Sequence, residues 1–225
     1  MLKLTRKSLL ISSILLLILS CSPKHAEGIS NKMNERYVVP YFNEPQAEYK
    51  YDASIQVYGN DLHGFFLLKR LGDQHARMAL VSDFGNTLMD FEFKGEEVIV
   101  HYVIEDLNKK IIVNKLKKYF QLITQSEYEL TFRYPKRIDN MCEPKTLSYI
   151  ESIPTRYKSS LNNRTVFLMI NHKQVLSKII QSKRRKTIAE VDFYTSNTPD
   201  DSIQLDSLRF ESKKMPIVMT FKAVD

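Results

Sequence analysis

Alternating apolar and polar positions dominate the chain from Tyr49 onward, and this period of two predicts β-strands. The clearest unit is a hairpin in which strands 87–93 and 98–104 flank a turn that contains Gly95. The same pattern predicts further strands over residues 53–57, 65–68, 78–81, 128–134, 147–153, 165–170, 175–181, 187–194, 203–211 and 217–223. From Tyr49 onward the chain is therefore expected to consist almost entirely of β-strands.

One segment follows a helical period instead. An apolar stripe over residues 108–123 predicts a single long helix, with Asp106 or Asn108 as its cap. The stripe is broad enough to favour packing against the sheet over lying on a membrane, and it consists of Ile112, Leu116, Tyr119, Phe120 and Ile123. Many strands with one central helix predict an α+β, mostly β fold. We expect an antiparallel sheet wrapped around that helix.

The N-terminus has the layout of a secretory signal peptide over residues 1–20. A basic head precedes an apolar stretch that is too short to span a bilayer. The tetrapeptide Ile18-Leu19-Ser20-Cys21 resembles a bacterial lipobox, which implies that Cys21 carries the lipid attachment, with palmitate-type acyl chains. Two or three such chains make an effectively permanent anchor at about 0.8 kcal/mol per CH₂. An ordinary signal peptide and an uncleaved membrane anchor are the alternatives.

Composition then divides the precursor into three parts: the signal peptide 1–20, a flexible tether 21–48 and a folded domain 49–225. The tether is predicted because residues 22–48 contain three prolines and many polar residues but no clear period. If Cys21 is acylated, Cys142 has no intramolecular partner, so no disulfide is expected.

The formal net charge is +7, and the excess is concentrated in residues 133–186, which hold 13 lysines and arginines against 3 acidic residues. An anionic membrane surface is the more natural partner of this stretch, because an exported, lipid-anchored protein has little access to nucleic acid. A solvated lysine-rich face is an equally good interpretation.

The segment from Arg77 to Leu88 resembles the bacterial lipoprotein-localisation (LolA/LolB-like) family, and most closely its outer-membrane receptor lipoprotein. There, a basic residue opens an apolar strand that ends in a short loop with a large exposed apolar residue followed by glycine. Phe84 and Gly85 occupy those positions. The resemblance implies that this loop contacts the membrane. The alternative is that Phe84 is buried at the end of a strand.

The resemblance also implies the fold: an incomplete antiparallel β-barrel, or half-barrel, wrapped around the central helix. In this family the half-barrel encloses an apolar cavity that takes acyl chains. We expect this cavity to be lined by residues of the early strands, with ordinary core packing as the alternative for each one. The candidates are Phe65, Leu67, Met78, Leu80, Met89, Phe91 and Phe93.

Together these features predict a lipid-anchored outer-membrane protein that faces the periplasm and functions in lipoprotein or lipid transfer. Its expected partners are the membrane, acyl chains of cargo and a periplasmic carrier protein, but not nucleic acid. No cofactor, metal or enzymatic activity is expected, because the five histidines lack metal-site spacing and no glycine-rich phosphate loop is present. The alternative is a non-transporting accessory lipoprotein of an envelope complex, with a filled core.

Overall fold

The structure is a computed structural model that describes residues 31–134, 154–198 and 203–224. Within these ranges the chain forms thirteen strands and one α-helix. The strands are β1 (Asn31–Val38), β2 (Glu48–Val57), β3 (Asn60–Gly72), β4 (His75–Ser82), β5 (Thr87–Lys94), β6 (Glu97–Val103), β7 (Glu127–Tyr134), β8 (Thr155–Leu161), β9 (Arg164–Ile170), β10 (Leu176–Lys183), β11 (Lys186–Asn197), β12 (Ile203–Ser212) and β13 (Ile217–Ala223). The helix α1 (Lys110–Thr124) lies between β6 and β7 in the chain.

All thirteen strands belong to one sheet, in the order β1-β7-β8-β9-β10-β11-β12-β13-β2-β3-β4-β5-β6. Every neighbouring pair is antiparallel. The sheet is open, because β1 and β6 each pair on one side only. The chain leaves the edge strand β6, forms α1 and then enters β7 beside the other edge. This confirms the expected half-barrel around a helix.

The inner face of the sheet is the face that packs against α1. Phe66 on β3 and Phe91 on β5 are fully buried there, and both contact the ring of Phe120 on α1, with centroids 6.3 and 5.8 Å apart. Tyr119, also on α1, packs against Phe210 of β12 with centroids 4.7 Å apart. Because each such side chain contributes about 1.5–3 kcal/mol on burial, these aromatic contacts are a main stabilising element of the core.

The helix starts later than the sequence predicts, and its predicted cap is wrong. Lys109 precedes the first helical residue, and its side chain makes no capping hydrogen bond. A 3-10 turn at Glu105–Leu107 leads into α1, and the Asn108 N–H donates to the Glu105 carbonyl oxygen over 3.0 Å. No helix within the described ranges combines the length and apolar character needed to cross a membrane.

The tether predicted over 21–48 is wrong for residues 31–48. Residues 31–38 form β1, which pairs with β7 along its length. Val39, Tyr41 and Phe42 then enter the core, where they are 2–3% exposed. An edge strand with mostly exposed side chains shows no apolar alternation, and the buried residues that follow it lie in irregular backbone. The folded domain therefore includes residues 31–48.

Some predictions concern residues outside the described ranges. These are the signal peptide 1–20, the attachment at Cys21, the unpaired Cys142 and the strand over 147–153. The pattern did not predict β8, which the structure places at Thr155–Leu161.

Candidate functional site

Five of the predicted cavity residues lie on the inner face, where they are 0–4% exposed: Met78, Leu80, Met89, Phe91 and Phe93. Strand register brings four of them together, because Met78 pairs with Phe91 and Leu80 pairs with Met89 across β4 and β5. In this conformation they pack as core. Their role as ligand-lining residues remains a prediction.

The structure places Phe65 and Leu67 on the opposite, outer face, so their assignment to the inner surface is wrong. The Nζ atom of Lys50 lies 4.0 Å from the centre of the Phe65 ring. Phe66 and Leu68 occupy the inner positions instead and are 0–1% exposed. In a run of four apolar residues the sequence does not indicate which alternate pair faces inward, since the period of two is obscured.

The segment 39–47, which we call the strap, covers part of the inner face between β1 and β2. The ring of Tyr41 stacks on Phe193 of β11 with centroids 5.1 Å apart, and its hydroxyl donates to the Leu176 carbonyl oxygen over 2.7 Å. The ring of Phe42 meets those of Tyr51 and Phe66 edge to face, with centroids 5.6 and 6.3 Å apart. The strap thus occupies apolar space that the sheet and α1 leave between them.

Arg70 fixes the strap, the helix and the sheet at one point. It lies on β3 and is only 5% exposed. Its Nε donates to the carbonyl oxygen of Phe42 in the strap, and its Nη2 donates over 2.5 Å to the carbonyl oxygen of Thr124 at the end of α1. Burial lowers the pKa of Arg70. No ion pair with a carboxylate neutralises Arg70 in the described part of the chain, so backbone carbonyls and the helix C-terminal dipole stabilise its charge.

Sequence reasoning missed Arg70, although a signal was present. Arg70 continues the inward-facing series of Phe66 and Leu68, and a cation in an inward position needs buried partners. The sequence did not reveal the strap, so the carbonyl oxygen that it supplies to Arg70 could not be identified as a partner.

A polar cavity of about 360 Å³ opens near this point. It is lined by Arg36, Asp73, Gln74, His75, Lys94, Gly95 and Glu127. A void of about 20 Å³ that includes Arg70 in its lining shares Gln74 and Gly95 with it. The space next to the buried arginine is therefore lined mainly by polar residues.

The loop between β4 and β5 presents Phe84 to solvent, 93% exposed. The Gly85 N–H donates to the Ser82 carbonyl oxygen over 2.9 Å, and the Ser82 N–H donates to the Asn86 carbonyl oxygen over 2.8 Å. Gly85 has a φ of +84°, a conformation that glycine adopts without strain. The turn therefore holds Phe84 outward, which excludes the alternative of a buried strand-end aromatic.

A charged cluster lies on β4, β5 and β6. Glu92 accepts hydrogen bonds over 2.8 Å from Lys94 and lies 2.8 Å from Nε2 of both His75 and His101. Hydrogen bonds from Lys94, His101 and His75 lower the pKa of Glu92 to about 2. Within the described residues, no group of three His, Cys, Asp or Glu side chains is arranged to hold a metal ion. We interpret the cluster as structural, since it links β4, β5 and β6 at one edge of the sheet.

Comparison with known proteins places the fold. No sequence-family model and no curated protein matches the chain. The crystal structure of a LolA superfamily protein from Nitrosomonas europaea superimposes with a TM-score of 0.53 at 11% identity, covering 83% of this chain and 88% of that one.

Two further solved structures score below 0.5. A DUF1329 family protein from Desulfovibrio piger gives 0.43 at 9% identity, and a domain described as an outer membrane lipoprotein-sorting protein from Vibrio parahaemolyticus gives 0.39 at 9% identity. Each comparison covers 82% of this chain and 86% of the other. The fold assignment rests on the first structure: this chain has the fold of the LolA superfamily.

Proposed function

We propose that the protein is a lipid-anchored envelope lipoprotein that binds acyl chains of lipoprotein or lipid cargo on the inner face of its half-barrel. One observation carries the proposal: a short strap, held in part by the buried Arg70, covers part of a largely apolar inner surface. The fold that the domain shares with a LolA superfamily protein supports this function.

The magnitudes favour reversible binding. Removing Val39, Tyr41 and Phe42 from the core costs about 1.5–3 kcal/mol each. Breaking the two charged hydrogen bonds of Arg70 adds about 1.5–3 kcal/mol each. Transfer of a palmitoyl-type chain from water gains about 12 kcal/mol, at about 0.8 kcal/mol per CH₂. The cost of opening the strap therefore offsets much of the gain, so an acyl chain binds less tightly than it would to an open inner face and can leave again, as transfer requires.

The anchor and the exposed loop complete the proposal. Acylation at Cys21 would tether the domain to the outer membrane on its periplasmic side, where a periplasmic carrier protein could deliver cargo. Phe84, held outward by its turn, would contact the membrane when cargo is released. Cys21→Ala should give a product that is released or left unprocessed. A membrane-bound, fully processed Cys21→Ala product would refute acylation.

Uptake of a fluorescent palmitate analogue tests the acyl-binding function. The chain from Ser22 to Asp225 is suitable, because it retains every described strand, the strap and α1; a chain starting at residue 49 would lose β1 and the strap. Arg70→Met should raise the apparent affinity, because it removes the bonds that hold the strap closed.

Arg77→Met is the matched control. Arg77 is an exposed arginine on the adjacent strand β4, where it pairs with Asp90 at 2.7 and 3.0 Å. Arg77→Met should leave the apparent affinity for the palmitate analogue unchanged. If neither the natural chain nor Arg70→Met takes up the analogue, acyl binding is refuted.

A non-transporting accessory lipoprotein is the second candidate. The observation that favours it is the filled inner face, where five of the seven predicted cavity residues lie and are 0–4% exposed. Under this function the strap is permanent core, and the uptake experiment separates the two.

A further inference from the structure

The outer face of β7, β8 and β9 carries aromatic rings and cations that acyl binding does not use. We call this surface the aromatic–cationic patch; it consists of Phe132, Tyr134, Arg156, Lys158 and Phe167. Phe167 alternates with the buried Val166 and Leu168 on β9, which places it on the outer face.

Each cation of the patch lies close to an aromatic ring of the patch. The guanidinium carbon of Arg156 lies 3.8 Å from the centre of the Phe167 ring and 5.2 Å from that of Tyr134. The Lys158 Nζ lies 5.0 Å from the centre of the Phe132 ring. Tyr134 is 38% exposed and meets Phe167 edge to face, with centroids 6.0 Å apart. Rings and cations therefore form one continuous, partly exposed surface.

The two cations of the patch have no carboxylate partner among the described residues. Neither Arg156 nor Lys158 forms an ion pair with a carboxylate within the described ranges. On the neighbouring strand β10, by contrast, Lys178 pairs with Asp192 at 2.9 Å and with Glu190 at 3.5 Å. Among the described residues the patch is thus a local excess of positive charge, which suits an anionic partner.

The chain enters the folded domain beside the patch. In the β1–β7 ladder Lys32 lies opposite Phe132, and Asn31 lies opposite Arg133. Cys21 precedes Asn31 by ten residues, which span at most about 35 Å when extended. This step rests on the proposed acylation: an anchor at Cys21 keeps the patch within reach of the bilayer surface.

We propose that the aromatic–cationic patch docks the domain on an anionic phospholipid surface. Arg156 and Lys158 would bind lipid phosphates, and Tyr134 and Phe132 would lie at the level of the headgroups, where amphipathic rings are favoured. Single-stranded nucleic acid uses similar chemistry, but the anchor places the patch at a membrane.

Vesicle sedimentation of the unlipidated chain 22–225 tests the docking. The chain should bind vesicles of equal parts phosphatidylglycerol and phosphatidylcholine, should bind pure phosphatidylcholine weakly, and should dissociate in high salt. Arg156→Gln with Lys158→Gln should weaken binding about 30-fold, since each cation contributes about 1 kcal/mol near such a surface.

Lys50→Gln is the matched control. Lys50 also lies over an outer-face ring, that of Phe65 at 4.0 Å, but on β2. It should change vesicle binding less than twofold. Circular dichroism on all variants checks that they are folded.

Three results would overturn the docking: binding by the double variant equal to that of the natural chain, no preference for phosphatidylglycerol, or a preference for a single-stranded oligonucleotide over vesicles. Palmitate-analogue uptake on the same samples separates the two proposals. A chain that takes up the analogue but ignores anionic vesicles refutes docking alone. One that docks but takes up no analogue refutes acyl binding alone.

Discussion

Phe42→Ala tests whether the strap is a gate or permanent core. Phe42 is 2% exposed and contacts Tyr49, Tyr51 and Phe66, with ring centroids 5.4, 5.6 and 6.3 Å away. Truncating a buried phenylalanine costs about 3–5 kcal/mol. Because Phe42 lies in the strap, a gate would lose this stability in its closed state only.

The consequence for binding follows from the population of the open state. If the strap must leave before an acyl chain enters, the apparent affinity is lowered by the small open fraction. If Phe42→Ala destabilises the closed state by about 3 kcal/mol relative to the open state, the open fraction rises roughly a hundredfold. The apparent affinity for the acyl chain rises by the same factor, as long as the strap of the natural chain is mostly closed. The stability of the domain and its affinity for acyl chains then change in opposite directions.

The assay combines titration of the palmitate analogue with urea unfolding on the chain 22–225. Phe210→Ala is the control, since Phe210 is equally buried but packs against Tyr119 of α1, away from the strap. It should lose similar stability and gain no affinity. Equal affinity changes in the two variants, or weaker binding by Phe42→Ala, would refute the gate.

Three further predictions concern the sheet and its exposed loop. Gly64→Ala should destabilise the domain by about 3–5 kcal/mol in urea unfolding, because its Cβ would overlap the Val81 carbonyl oxygen at a φ of +148°; a loss below about 1 kcal/mol would contradict the close strand approach. Phe84→Glu should reduce transfer to liposomes at least tenfold at low and high salt alike. The melting temperature should not change, since the Phe84 side chain is 93% exposed. Equal transfer would make the loop structural. The pKa of Glu92 is lowered to about 2, so the stabilisation by its ionised form is complete above the ordinary carboxyl pKa and is lost as pH falls from there through about 2. Glu92→Gln should therefore melt at a lower temperature than the natural chain at neutral pH and at the same temperature near pH 2. A difference in melting temperature that persists in acid would contradict the ion-pair cluster.

Local patterns in the sequence determined most of the strands and the helix. The strand 217–223 matches β13, and the β5–β6 hairpin turns at Gly95 as expected. The turn between β10 and β11 consists of Arg184 and Arg185, both with positive φ. These elements depend on nearest-neighbour alternation and turn chemistry, both of which are written in consecutive residues.

Tertiary structure decided what closes the inner face. The strap has no period, so its burial follows only from the space left between α1 and the sheet. The inward choice of Phe66 over Phe65 follows from pairing with β4, in which Phe66 lies opposite the buried Leu80. Arg70 acquires its role only when Phe42 and Thr124, far apart in the chain, bring their carbonyl oxygens to it. The sequence by itself determined most of the strands and the helix that the sheet surrounds, because both follow from local periodicity. Only long-range packing, which no local pattern encodes, placed the strap over the inner face.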